Sequence, residues 1–151
     1  MSSPIRVSVA VSLGMHAMAI LALYDPLPRS VQFLAEELHS SETHLAKVFQ
    51  RLGKMGLIRA FRGRTGGYRL AKNAQKITLL EIHEAIEDPY DIEECLFSSP
   101  VCRNSPCLFG ELLWEFNSRL KEHLANTALS ELCRSMHSLT NAHPPTGEFG
   151  E

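Results

Sequence analysis

The chain has 151 residues, 44% of them hydrophobic, and a formal net charge of −2, which is enough for one ordinary core and too little for two. Residues 1–6 lack the charged start followed by an apolar run and cleavage site of an exported chain, so the four cysteines do not read as an extracellular disulfide scaffold; the expectation is a cytoplasmic protein with thiols free or ligated.

Residues 7–23 hold only Ser8, Ser12 and His16 as clearly polar side chains. Seventeen positions are at the lower edge for a membrane span, but they are rich in Ala, Ser and Gly rather than Leu and flanked only by Arg6, so residues 7–24 are predicted as a buried helix, stopped by Asp25-Pro26-Leu27-Pro28. Spaced by four, Ser8, Ser12 and His16 make one polar line on an apolar helix, which needs a partner if buried. His16 is then either a satisfied core histidine or a ligand.

Ser30 is placed to cap a short helix over 31–38, where Val31, Leu34, Ala35 and Leu38 form an apolar stripe. After His39-Ser40-Ser41 the stripe resumes with Leu45, Val48, Phe49, Leu52 and Met55. Thr43, His44, Lys47, Gln50, Arg51 and Lys54 fall on the outer faces. Two short helices joined by a three-residue turn, the second basic outside, are the signature of a helix-turn-helix. Gly56 suits the left-handed end of the second helix. Two strands follow, 57–61 and 68–71, around Arg62-Gly63-Arg64-Thr65-Gly66-Gly67. That hairpin reads as a wing whose glycines admit phosphates to the backbone.

Thr78-Leu79-Leu80-Glu81 is a capping box for a helix to residue 87, closed by Asp88-Pro89. A loop carrying Cys95, Cys102 and Cys107 comes next. Ser105-Pro106 is expected to start a long helix to residue 125, roughly 30 Å, with the stripe Phe109, Leu113, Phe116, Leu120 and Leu124. Its apolar face exceeds what one small module can cover, which predicts a second copy against it. Thr127 is expected to cap a short helix with Leu129, Leu132 and Met136, and 139–151, with Pro144 and Pro145, to be a disordered tail. The predicted fold class is mostly α with a two-stranded β wing and a long C-terminal dimerisation helix. Its divisions are a winged helix-turn-helix at 1–77, the cysteine loop and dimerisation helices at 78–138, and the tail.

Charge divides the chain along the same lines. Residues 43–80 carry nine Lys or Arg (Lys47, Arg51, Lys54, Arg59, Arg62, Arg64, Arg69, Lys72 and Lys76) and no Asp or Glu, whereas 81–151 hold thirteen acids against four bases, a balance of −9. Basic charge gathered on a helix-turn-helix and wing points to a nucleic-acid polyanion. The candidate DNA contacts are Thr43, His44 and Gln50 at base edges and Lys47, Arg51, Arg62 and Arg64 at phosphates, with Arg59 in the same set.

Three cysteines within thirteen residues supply soft thiolates for an iron–sulfur cluster or zinc, although six and four intervening residues match neither ferredoxin patterns nor paired zinc knuckles. Cys107, expected in the first turn of the long helix, would have its thiolate favoured by the helix dipole. For a fourth ligand the sequence offers His16, Glu111 and Cys133, the last also readable as a small core residue. Thiols switching without metal are the alternative. No paired acid and base, nucleotide loop or substrate motif suggests an enzyme or a small-molecule substrate.

Gly14-Met15-His16-Ala17-Met18, Leu45-Ala46-Lys47-Val48-Phe49-Gln50-Arg51-Leu52 with Gly56-Leu57-Ile58, the wing from Arg62 to Ala71 and the three-cysteine loop together resemble the IscR/NsrR family of bacterial winged-helix regulators. The resemblance implies a homodimer joined by the long helix, with recognition helices in the major groove and wings in the minor groove of promoter DNA. It also implies a [2Fe–2S] or [4Fe–4S] cluster on Cys95, Cys102 and Cys107 whose state sets DNA affinity, most often in a repressor. Family cysteines are commonly spaced five and five, and the histidine some members carry after the last cysteine is Gly110 here. Other members draw a ligand from the partner's first helix, which brings forward His16 of the partner subunit. A base-reading glutamate of some members is Ala46 here.

Overall fold

The structure is a computed structural model and describes residues 7–92, 95–97, 101–102 and 107–142, with backbone alone for 137–142. Helix α1 (Val9–Tyr24) runs through its centre. Val11, Met15, Ala17, Met18, Ala19, Ile20 and Leu21 are all buried, because a helix that is apolar on most sides has to be covered on most sides. Helices α3 (Glu42–Lys54), α4 (Leu79–Ile86) and α6 (Leu129–Ala142) pack around it. Gly14 is where α4 comes closest: a Cβ there would lie 2.2 Å from Ile86 Cδ1 and 3.2 Å from Val48 Cγ1.

The helix-turn-helix consists of α2 (Val31–Glu37) and α3. Ser30 and Ser41 cap the two helices by accepting from the amides of Phe33 and His44. The buried face of α3 is Leu45, Val48, Phe49 and Leu52, while Met55 of the expected stripe is exposed at its C-cap. Gly56 takes φ +72°, the left-handed end that its missing Cβ permits.

Strands β1 (Ile58–Phe61) and β2 (Gly67–Leu70) pair antiparallel from Ile58↔Leu70 to Phe61↔Gly67. The wing is also stitched to the linker after α1, since Arg29 N–H donates to Tyr68 O at 3.1 Å and Tyr68 N–H to Arg29 O at 2.8 Å. Gly67 makes this approach possible: a Cβ there would stand 2.4 Å from Arg29 O. One 3₁₀ turn (Ala74–Lys76) leads to α4, whose capping box of Thr78 and Glu81 forms as expected.

The C-terminal elements depart from expectation. Helix α5 runs Gly110–Asn126, about 25 Å, so Cys107 lies three residues before its first residue. The Gly110 N–H donates to Cys107 O at 3.2 Å, closing a single turn ahead of the helix. Thr127 does not cap α6. Its hydroxyl donates back to His123 O at 2.7 Å, finishing α5, while the Ala128 N–H donates to Glu131 Oε1 at 3.3 Å. Helix α6 continues to Ala142, beyond the expected boundary at 138, and the rest of the expected tail lies outside the described residues.

Candidate nucleic-acid interface and cysteine loop

Capping by Ser41 and the apolar seam of α3 leave Thr43, His44, Lys47, Gln50 and Arg51 exposed on its other faces. Arg59 lies on the outward side of β1, and Arg62 and Arg64 stand exposed in the wing loop. The structure therefore brings every sequence-predicted DNA residue to one helix and the adjoining hairpin.

The nine cations are not equivalent. Arg69 sits directly opposite Arg59 in the hairpin, an arrangement that like charges oppose. Asp25 relieves it, its carboxylate accepting from Arg69 Nη2 at 3.1 Å, and Arg69 also lies 5.3 Å from the Phe61 ring. Lys72 pairs with Glu81 at 3.5 Å. Arg51 Nη1 donates to the Ile86 carbonyl at the end of α4, so its guanidinium is turned toward the helix behind. Among the described residues no hydrogen bond or ion pair engages Lys47, Arg59, Arg62 or Arg64.

Sequence reasoning missed Arg29 as part of this region. Its guanidinium lies 4.1 Å from the Tyr24 ring centroid and 5.2 Å from that of Phe33, fastening the linker that carries the wing. Aromatic residues five positions before and four positions after a lone arginine were the only available signal, and the two rings meet edge to face, 5.4 Å apart, where the linker turns back.

The thiols stand apart. Cys95 and Cys107 are half-buried and Cys102 is exposed, each free. Three thiolates suit the chemistry of an iron–sulfur cluster, but among the described residues no group of three His, Cys, Asp or Glu is gathered to hold a metal ion. The described residues of one subunit thus do not by themselves bring the donor set together. Cys133 is in the core, its Sγ 3.6 Å from Ala19 O, and burial pushes its thiol pKa up; it fastens α6 to α1. Glu111 is exposed.

His16 is half-buried, and its Nδ1 donates to Ser12 O at 2.7 Å. A carbonyl can only accept, so Nδ1 carries the hydrogen, and in the neutral ring it is Nε2 that keeps the lone pair. Histidines that bind metals are commonly oriented through such a bond. Ser8, the third member of the polar line, is the N-cap of α1 and accepts from Val11 N–H at 3.2 Å.

A buried polar cluster anchors the chain ahead of the cysteines, and sequence reasoning did not find it. Tyr90 OH donates to Asn117 Oδ1 at 3.2 Å, Tyr90 N–H donates to Glu84 Oε1 at 3.2 Å, and Lys121 Nζ donates to Tyr90 O at 2.8 Å. His83, fully buried, packs its ring 4.9 Å from that of Tyr90. Asn117, only 1% exposed, splits the expected α5 stripe. Leu113, Asn117, Leu120 and Leu124 turn inward, while Phe109, Leu112 (63% exposed) and Phe116 face outward.

A sequence profile named Rrf2 and described as an iron-dependent transcriptional regulator matches residues 7–135. The regulator IscR of Vibrio campbellii is 30% identical over 121 residues, 80% of this chain and 71% of that protein. The regulator NsrR of Shouchella clausii is 38% identical over 81 residues, 49% of this chain and 54% of that one. Among solved structures, CymR, the global cysteine regulator of B. subtilis, superposes with a TM-score of 0.71 at 26% identity, covering 89% of this chain and 98% of CymR. Among the described residues no helix is long and apolar enough to cross a membrane.

Proposed function

Because the chain belongs to the Rrf2 family of transcriptional regulators, we propose that it is a homodimeric repressor whose hold on promoter DNA is set by its cysteine loop, with an iron–sulfur cluster as the group that loop carries. The observation behind the DNA contacts is the band of exposed, unengaged cations at Lys47, Arg59, Arg62 and Arg64, continuous with Thr43, His44 and Gln50 on α3. Such cations displace counterions from phosphates and hold the duplex in register, while the neutral side chains address base edges. Phe109, Leu112 and Phe116 form the seam with the second copy. In this reading Cys95, Cys102 and Cys107 bind the cluster through thiolate, and His16 of the partner subunit supplies the fourth ligand through Nε2.

When bound, the cluster would supply sensitivity to iron supply, nitric oxide or oxidants. What this chain contributes is a reading head and an anchored loop. A second reading, a thiol switch without metal, draws on the exposed Cys102 thiol and on the similarity to the global cysteine regulator CymR.

Anaerobic purification followed by an absorbance spectrum and iron assay separates the two. The cluster reading expects coloured, iron-bearing protein that bleaches with nitric oxide or oxygen; a colourless, iron-free protein that still binds DNA would transfer control to the thiols. In either case DNA affinity should fall steeply with salt, and Arg64→Ala should lower the slope of log affinity against log salt by about one unit.

A further inference from the structure

We infer that Arg51 is a positioning residue that straps the recognition helix to the C-terminus of α4, rather than a phosphate anchor. The last carbonyls of any helix lack intrahelical donors and carry the negative end of its dipole. At α4 the chain leaves the helical path at Glu87 (φ −119°, ψ 178°), whose N–H returns to His83 O. The Ile86 carbonyl is taken by Arg51 Nη1, from a side chain thirty-five positions earlier on α3. A guanidinium is suited to this place, charged at every ordinary pH and favoured by the dipole.

The strap bridges a gap. Beside it lies a cleft of about 510 Å³ between the ends of α3 and α4, lined by Lys54, Met55, Ala85, Glu87 and Asp88 along with the two strapped residues. Ile86 and Ala85 are buried on the core side, and at the rim of the cleft the Arg51 hydrogen bond adds a directed tie between the ends of α3 and α4, which we infer sets the angle at which α3 is presented. Four residues beyond Ile86, Tyr90 is held by Glu84 of α4 and by Asn117 and Lys121 of α5, and Cys95 follows five residues later. Arg51 therefore joins the reading helix to the segment from which the cysteine loop departs.

The inference relies on the DNA-binding part of the proposed function and not on the cluster. It is tested with full-length protein and a duplex it selects from random sequence, titrated across a salt series. Arg51→Ala should lower affinity roughly tenfold at every salt concentration, the loss expected of one charge-assisted hydrogen bond, with the salt slope unchanged. Arg64→Ala in parallel should lower the slope by about one unit. Tyr90→Phe, which keeps the ring and removes the bond to Asn117, loosens the same support from the other side. Combined with Arg51→Ala it should cost less than the product of the two single losses. A slope reduced by about one unit in Arg51→Ala, unchanged affinity, or strictly multiplicative losses would each overturn the strap. Failure of wild-type protein to bind any duplex would sink the DNA reading itself, and Arg64→Ala would then have no slope to change.

Discussion

Gly67 shows how much one missing Cβ can decide. Alanine there would place a carbon 2.4 Å from the Arg29 carbonyl and demand φ near +150° of a residue that resists it. Gly67→Ala should therefore open the linker-to-wing pairing, costing about 2 kcal/mol in unfolding free energy by denaturant titration and weakening DNA binding more than its stability loss explains. At the same scale the cysteines differ in reactivity. Burial holds Cys133 protonated to higher pH than an ordinary thiol, whereas Cys102 is exposed. Alkylation of folded protein near neutral pH, read by mass spectrometry, should label Cys102 first and Cys133 last; rapid labelling of Cys133 would contradict its place in the core. The sequence disclosed the type of these residues and not their partners. Nothing local to Arg51 announces Ile86, and nothing around Asn117 marks it as buried, because both meet groups more than twenty-five positions away.

Elements were legible wherever a local signal was complete. Ser30, Ser41 and Thr78 cap the helices they precede, Gly56 turns left-handed, and the glycine-rich stretch makes the hairpin. Each of these depends mainly on a few neighbouring residues, which is why it could be read locally. Helix α5 starts at Gly110, later than the expected opening at Ser105-Pro106, two residues that lie outside the described ones. Likewise Thr127 has the chemistry of a cap but spends its hydroxyl on the preceding helix. The capping box of α4 gives a direct check on local logic: Thr78→Ala removes the acceptor for the Glu81 N–H and should lower stability by about 1 kcal/mol, measured as a shift in denaturant midpoint.

For the whole molecule, the basic and acidic halves of the sequence become an end rich in exposed cations, the proposed DNA face, and a C-terminal half with an uncovered apolar row. Phe109, Leu112 and Phe116 are exposed in one subunit, and that row is what a second copy would cover. Replacing Leu112 by Glu should convert a dimer into a monomer in sedimentation experiments, with the helical content of each subunit retained and affinity for a two-fold symmetric duplex falling by at least a hundredfold as the second half-site is lost. A monomeric wild-type protein would remove the dimer and the shared cluster site together. The charge division was visible in sequence because it is a matter of counting; the division of the α5 stripe was not, since it turns on Asn117 finding Tyr90.

The clasp between Arg29 and Tyr68 reaches beyond the subunit. With two backbone hydrogen bonds holding it, and with the linker braced in turn by Arg29 on Tyr24 and Phe33, the hairpin has no independent hinge on which to follow the curvature of a duplex. In the proposed complex the double helix is then expected to bend or narrow to meet the wing. Base steps that yield easily will be favoured even where no side chain reaches them, so the preferred sites will carry a mechanical as well as a chemical signature.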